Sequence, residues 1–178
     1  MNLILYMSSS IPQSVIDASY QAYRPKNDSP DAVHSVDRQG TATLALANGA
    51  MAFLDVDLCA PSKYGFVPSF SLNFKAEGDK GSVEMSNFIM PTFWHSITVK
   101  LKDGKSRTEK VYKPKDGGEE WWSTYRYQLE ALVDKIRGRE PRVWLTKEES
   151  VATMEWIEKI YEKNGLGSRP RSSYVLEE

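Results

Sequence analysis

"TATLALANGAMAFLDVDL", residues 41–58, consists of two alternating runs joined at Asn48-Gly49. Alternation puts Leu44 and Leu46 on one strand face, to share a core with Leu54, Val56 and Leu58 on the next strand. The Asn-Gly dipeptide tolerates the positive φ angles of a type I′ turn, so a hairpin with one apolar face is expected.

The same period extends outward in both directions. Upstream, "SVIDASYQAY" (14–23) alternates Val15, Asp17, Ser19 and Gln21 with Ile16, Ala18, Tyr20 and Ala22, and the turn-rich "PKNDSPD" follows. Downstream, after a loop through Pro61 and Pro68, "SFSLNFKAEG" and "GSVEMSNF" pair around Asp79-Lys80-Gly81. "HSITVKLKDGKSRTEKVY" adds a hairpin turning at Asp103-Gly104. Strand follows strand without an intervening helix, which predicts antiparallel pairing.

The last third changes period. "STYRYQLEALVDKIRG" sets Tyr125, Leu129, Leu132, Val133 and Ile136 on one helical face, with Ser123 as N-cap and Gly138 as the stop. "TKEESVATMEWIEKIYEKNG" has a capping box at Thr146 and Glu149 and a stripe of Val151, Met154, Ile157, Ile160 and Tyr161. The fold class expected is α+β: an open, mainly antiparallel β-sheet with helices packed on one face. One domain spans 14–165, after a remnant or irregular segment at 1–13 and before a polar tail at 166–178. Met51, Phe53, Phe70, Phe74 and Met85 make the other sheet face apolar, which predicts a homodimer through it.

The totals fit one globular domain. The chain has 178 residues, is 40% hydrophobic and 26% charged, and carries 23 Lys and Arg against 24 Asp and Glu. A net charge of −1 offers no global attraction to nucleic acid or an anionic membrane, so neither is expected as a partner. The local basic run from Lys100 to Lys115 reads as the solvated face of a hairpin. Cys59 is the single cysteine, which excludes an intrachain disulfide and suits a reducing compartment. "MNLILYM" lacks the basic start and length of a signal peptide, and a cytoplasmic location is expected.

Several chemistries are missing. Gly65, Gly78 and Gly81 lack the spacing and the strand-to-helix setting of a phosphate loop. Two histidines and one cysteine make no Cys/His zinc site, and no metal is expected. Asp55 and Asp57 are two apart on a strand and share a face, as paired carboxylates or as solvated strand residues.

The quoted hairpin, then "GDKGSVEMSNFIMPTFWHSITV", then "WWSTYRYQLEALVDKIRGREPRVWLTKEESVATMEWIEKIYEKNG" resemble, in order, the C-terminal domain of the Gfo/Idh/MocA oxidoreductases. Within that family the dihydrodiol and D-xylose dehydrogenases are nearest. The resemblance implies a preceding Rossmann half, which carries the dinucleotide fingerprint and a catalytic lysine in an E-K-P motif, and which this sequence lacks. It implies NAD(P) for the full-length family but no cofactor for the isolated chain, and an open sheet that pairs subunits. Tyr6 falls where the family's active-site helix carries a tyrosine. The segment with Asn87, Phe88, Pro91, Trp94 and His95 falls at the family's substrate cleft, which implies an apolar or sugar-like small-molecule ligand. Trp121 and Trp122 are either a lid over the same cleft or a staple ahead of the helix at 123.

Three functions are open on this reading. The first is a stand-alone or truncated C-terminal domain that supplies a cleft wall and a dimerising sheet without hydride transfer of its own. The second is a cofactor-independent isomerase, cyclase or proton-transfer enzyme using His95, Tyr6 and Asp57. The third is a non-catalytic dimerisation module.

Overall fold

The hairpin at Asn48-Gly49 forms, with a loop one residue longer than expected. In the computed structural model, which describes residues 1–24, 36–57, 72–112 and 118–168, the Leu46 N–H donates to the Ala50 carbonyl at 2.9 Å and the Gly49 N–H to the Leu46 carbonyl at 3.0 Å. Gly49 has φ of 82°, whereas Asn48 keeps a negative φ. This is a three-residue loop with glycine in the left-handed position, not the two-residue type I′ turn. Asn48 serves through its side chain, whose oxygen accepts the Ala50 N–H at 3.1 Å. Asp103-Gly104 repeats the design: Leu101 pairs with Lys105 across Gly104, whose φ is 88°.

The chain divides into two compact units, Met1–Pro61 with Leu145–Glu178, and Ser62–Trp144. The first unit holds α1 (Asn2–Ser8), β1 (Pro12–Ala22), β2 (Asp37–Leu46), β3 (Met51–Asp57) and α3 (Lys147–Asn164). Its antiparallel sheet has the order β1-β2-β3, with Ala42 opposite Leu54 and Leu44 opposite Ala52. Ala42, Leu44 and Leu46 are buried there, each large side chain contributing roughly 1.5–3 kcal/mol. Leu54 is half-buried, Val56 is exposed, and Leu58 lies outside the described residues. Register in β1 shifts between Val15 and Asp17, so Val15 faces Leu44 while Asp17 faces Thr43. Strict alternation had grouped Val15 with Asp17; a bulge at Ile16 separates them.

α3 packs on β1. Its Thr146–Glu149 capping box forms in both directions, at 3.1 and 2.8 Å, and Gly165 ends it in the left-handed conformation. The inward face matches the apolar stripe read from sequence only in part, since Ile157, Ile160 and Tyr161 are half-buried. Val151 and Met154 are exposed, and Thr153 is buried with its hydroxyl donating to the Asn2 side chain. A threonine that satisfies its hydroxyl can occupy a core position that hydrophobicity alone assigns to a neighbour. Asn2 stands on α1, a helix where an irregular segment was expected, ended by Ser9 at φ 48°.

The second unit holds β4 (Asn73–Gly78), β5 (Gly81–Ser86), β6 (Ser96–Leu101), β7 (Ser106–Glu109) and α2 (Thr124–Ile136). The strands form an antiparallel meander in sequence order. Phe74, Met85 and Ile97 stand in one cross-strand row and are half-buried. The described strands therefore form two sheets, and the five apolar residues expected on one face are divided: Met51 and Phe53 on the first, Phe74 and Met85 on the second. Phe70 lies outside the described residues. On the α2 face read from sequence, Tyr125, Leu129, Leu132 and Ile136 are exposed and Val133 alone is half-buried, so this face does not pack as expected. Among the described residues, no helix is long and apolar enough to cross a membrane.

Candidate functional site

β5 ends at Ser86, and Asn87 turns the chain by taking φ of 55°, a conformation that asparagine adopts more readily than other residues with a Cβ. Asn87 is only 4% exposed. Its amide donates to the carbonyls of Met90 at 2.9 Å and Trp94 at 2.7 Å, closing residues 87–94 on themselves.

His95 fastens the far end. It is 3% exposed, its Nδ1 lies 2.7 Å from the Pro91 carbonyl, and the Val111 N–H donates to Nε2 at 2.8 Å. An N–H donor at Nε2 requires a lone pair there, so the proton sits on Nδ1 and is donated to Pro91. The Tyr112 ring meets the imidazole edge-on at 4.7 Å. Both ring nitrogens are committed to backbone, which gives His95 a holding role in this geometry and no free lone pair for general-base work.

The clamped loop turns apolar side chains outward. Phe93 is 81% exposed and Trp94 57%, with Ile89 and Met90 exposed beside them in sequence. The Thr92 hydroxyl donates to the Trp122 carbonyl at 3.2 Å and so joins the loop to the tryptophan pair. Trp121 is 73% exposed, and its ring meets Trp122 edge-on at 6.2 Å. Trp122 is packed: Tyr127 lies 5.3 Å from it and the Arg126 guanidinium 5.0 Å above its ring. Its Nε1 is buried without a hydrogen-bond partner. Arg126 is itself paired with Glu130 one turn on.

The candidate residues thus fall into distinct roles. Asn87, Pro91 and His95 build the loop, Phe88 is half-buried at its base, Trp94 and Trp121 are displayed, and Trp122 anchors. Thr92, Tyr112 and Arg126 were not singled out from sequence, since a lone Thr, Tyr or Arg carries no spacing signal. Tyr6 and Asp57 belong to the first unit. Tyr6 is exposed on α1, and Asp57 lies 3.8 Å from Arg38. Asp55 accepts from Gln39 at 3.2 Å, so each carboxylate has its own partner. No group of three metal-ligating side chains occurs among the described residues.

The basic hairpin is solvated, and two of its cations pair with its own carboxylates. Lys105 meets Asp103 at 3.0 Å and Arg107 meets Glu109 at 3.2 Å. The Lys105 backbone N–H and ammonium hold the Asp103 carboxyl below its usual range. Lys113 and Lys115 lie outside the described residues.

No family model and no curated protein matches this chain. Solved structures match it in fold. An aldose-aldose oxidoreductase from Caulobacter crescentus, complexed with glycerol, aligns with a TM-score of 0.64 at 20% identity, over 91% of this chain and 42% of that one. An oxidoreductase described from Thermotoga maritima gives 0.62 at 19% identity, over 92% and 42%. A variant of KijD10, a 3-ketoreductase from Actinomadura kijaniata in complex with TDP-benzene and NADP, gives 0.63 at 15% identity, also over 92% and 42%. The chain spans 42% of the length of each. It has the α+β fold of one part of these oxidoreductases, the fold that the resemblance implied.

Proposed function

We propose that this chain acts as a C-terminal domain of the Gfo/Idh/MocA type, supplying one wall of a substrate site for a sugar-like or cyclic polyol ring. The observation that carries this reading is the loop at 87–95. Its backbone is fixed by Asn87 and His95, while Phe93 and Trp94 face outward with Trp121 on the adjoining segment. Rigid aromatic faces suit the apolar faces of a ring whose hydroxyls remain hydrated at the edges. Hydride transfer needs a bound nicotinamide, and the sequence has no glycine loop to hold one, so the chain is assigned no redox step of its own. A cytoplasmic location fits the single cysteine.

A titration of tryptophan fluorescence tests the wall. Aldohexoses and cyclohexane-1,2-diol are expected to give saturable changes, weakened about three- to tenfold in Phe93→Ala and Trp94→Ala, as the loss of one aromatic contact implies. No saturable change with any ring polyol up to about 100 mM, well beyond the millimolar range equivalent to about 4 kcal/mol, would remove the reading.

A dimerising role is favoured separately by the first unit. Met51 and Phe53 stand exposed on the sheet face opposite the one that buries Leu44. The proton-transfer alternative draws no support from His95, whose two nitrogens are both engaged.

A further inference from the structure

We propose that Asn48 is a site of spontaneous covalent modification, converted by the Gly49 backbone nitrogen to aspartate and β-linked isoaspartate, and that the change frees the Ser8–Ser10 corner from the β2–β3 hairpin. Glycine follows asparagine at two places, Asn48-Gly49 and Asn164-Gly165. Both build the same local ring. Oδ1 of Asn48 accepts the Ala50 N–H at 3.1 Å and Oδ1 of Asn164 the Leu166 N–H at 3.0 Å, with glycine φ of 82° and 89°. Each ring encloses the glycine nitrogen beside the side-chain Cγ, and glycine sets no Cβ in the way of a close approach. The surroundings separate the two. Asn48 and Gly49 are exposed in a three-residue loop, where the Gly49 N–H has only the Leu46 carbonyl to leave. Asn164 is half-buried as the last residue of α3, and the Gly165 and Gly167 N–H groups close back on the Glu162 and Tyr161 carbonyls. Turning the Asn164 backbone out of the helical well undoes that cap, so the fold directs the reaction to Asn48.

The Gly49 nitrogen, its proton taken by hydroxide, bonds to Cγ of Asn48. The Cγ–Nδ2 bond breaks and the amide leaves as ammonia, which closes a cyclic imide. Water then opens the ring at either carbonyl. One opening gives aspartate in an unchanged main chain, and the other routes the main chain through the side chain and lengthens the loop by a methylene. Water is the co-reactant, and nothing is oxidised or reduced. The native amide is also a tie: Nδ2 donates to the Ser8 carbonyl at 3.3 Å, and the Asn48 backbone N–H donates to Ser10 Oγ at 3.1 Å. A carboxylate only accepts, so the contact with Ser8 turns into repulsion between two oxygens. The corner that joins α1 to β1 thereby loses its hold on the hairpin tip.

Ageing the folded whole chain in mildly alkaline buffer, followed by digestion and electron-transfer mass spectrometry, tests the site. The peptide with Asn48 should exchange its amide for a carboxyl, as a mixture of aspartate and isoaspartate, while Asn164 stays intact. Unfolded in urea, both asparagines should react at similar rates, so that the native difference reports the fold. The aged species, separated by its added negative charge, should lose hydrogen-exchange protection at the amide of residue 48, while Leu44 in the strand ladder keeps its own. Asn48→Asp should show the same loss without ageing. An intact Asn48 in the aged folded chain, equal rates at the two sites in that chain, or aspartate with no isoaspartate would each overturn the site. Unchanged protection at residue 48 in the aged species would overturn the release, whether or not the variant folds.

Discussion

The Thr92 hydroxyl and the Trp122 carbonyl, thirty positions apart in sequence, are joined by a 3.2 Å hydrogen bond. That bond fixes the tip of one loop to the lead-in of a helix and puts both aromatic segments of the second unit into one construction. Neither partner is conspicuous alone. The contact brings residues 87–95 and 121–122 together although the β6–β7 hairpin separates them in the chain.

Asn87 combines a left-handed backbone with two side-chain bonds. Asn87→Ala loses the bonds and must also hold a conformation that costs a residue with a Cβ about 1–2 kcal/mol. Asn87→Gly loses only the bonds. Urea denaturation should therefore rank wild type above Gly and Gly above Ala, with the two variants about 1 kcal/mol apart. Equal stability of the two variants would show that the left-handed turn is not held at this position.

Gly81 and Gly78 close the same two-residue turn but differ in surroundings. A Cβ at 81 would collide with the Lys100 carbonyl and lie 2.9 Å from the Leu101 Cα, and φ there is 151°. A Cβ at 78 meets nothing within 4 Å. Gly81→Ala should cost about 2 kcal/mol or more in thermal or chemical melts. Gly78→Ala should stay within about 0.5 kcal/mol.

Self-association through the first sheet is expected at tens of micromolar in sedimentation equilibrium. A stable interface buries roughly 1,200–2,000 Å², and Met51 and Phe53 are the large apolar side chains that β3 exposes on that face. Phe53→Lys should shift the species to the 20.2 kDa monomer. A wild type that sediments only as monomer ends this assignment.

For the dinucleotide, calorimetry with NADH and NADPH should show no saturable binding tighter than about 1 mM, less than roughly 4 kcal/mol. The segment leading into α2 is "GGEEWWS", whose Glu119 and Glu120 would repel a pyrophosphate where a helix N-terminus could otherwise attract it. Micromolar affinity for NADP(H) in this chain would restore a redox role.

The hairpins, both long helices and their stops were legible because each rests on local chemistry: period two, period 3.6, Gly49 and Gly104 in turns, Thr146 and Glu149 at a cap. The missed features depend on tertiary context. The bulge at Ile16 leaves no compositional mark, and it moves Val15 to the core face. Thr153 is buried because Asn2 meets it, a partner 151 positions away. In the 87–95 segment the crowding was visible in composition, but which side chains turn inward was not. Which of Asn87, Trp94 and His95 faces inward depends on where Met90, Pro91 and Val111 put their backbone groups.

The bulges of β1 bear on whether another strand can be added to this sheet. β1 is an edge of its sheet, and its register is broken three times, between Pro12 and Ser14, Val15 and Asp17, and Gln21 and Ala22. An edge so interrupted offers no continuous row of amides and carbonyls for another chain to extend, which discourages strand addition and the fibrous aggregation that follows from it. Among the three described strands, the opposite outer strand, β3, keeps an unbroken register, so this protection belongs to the β1 side alone.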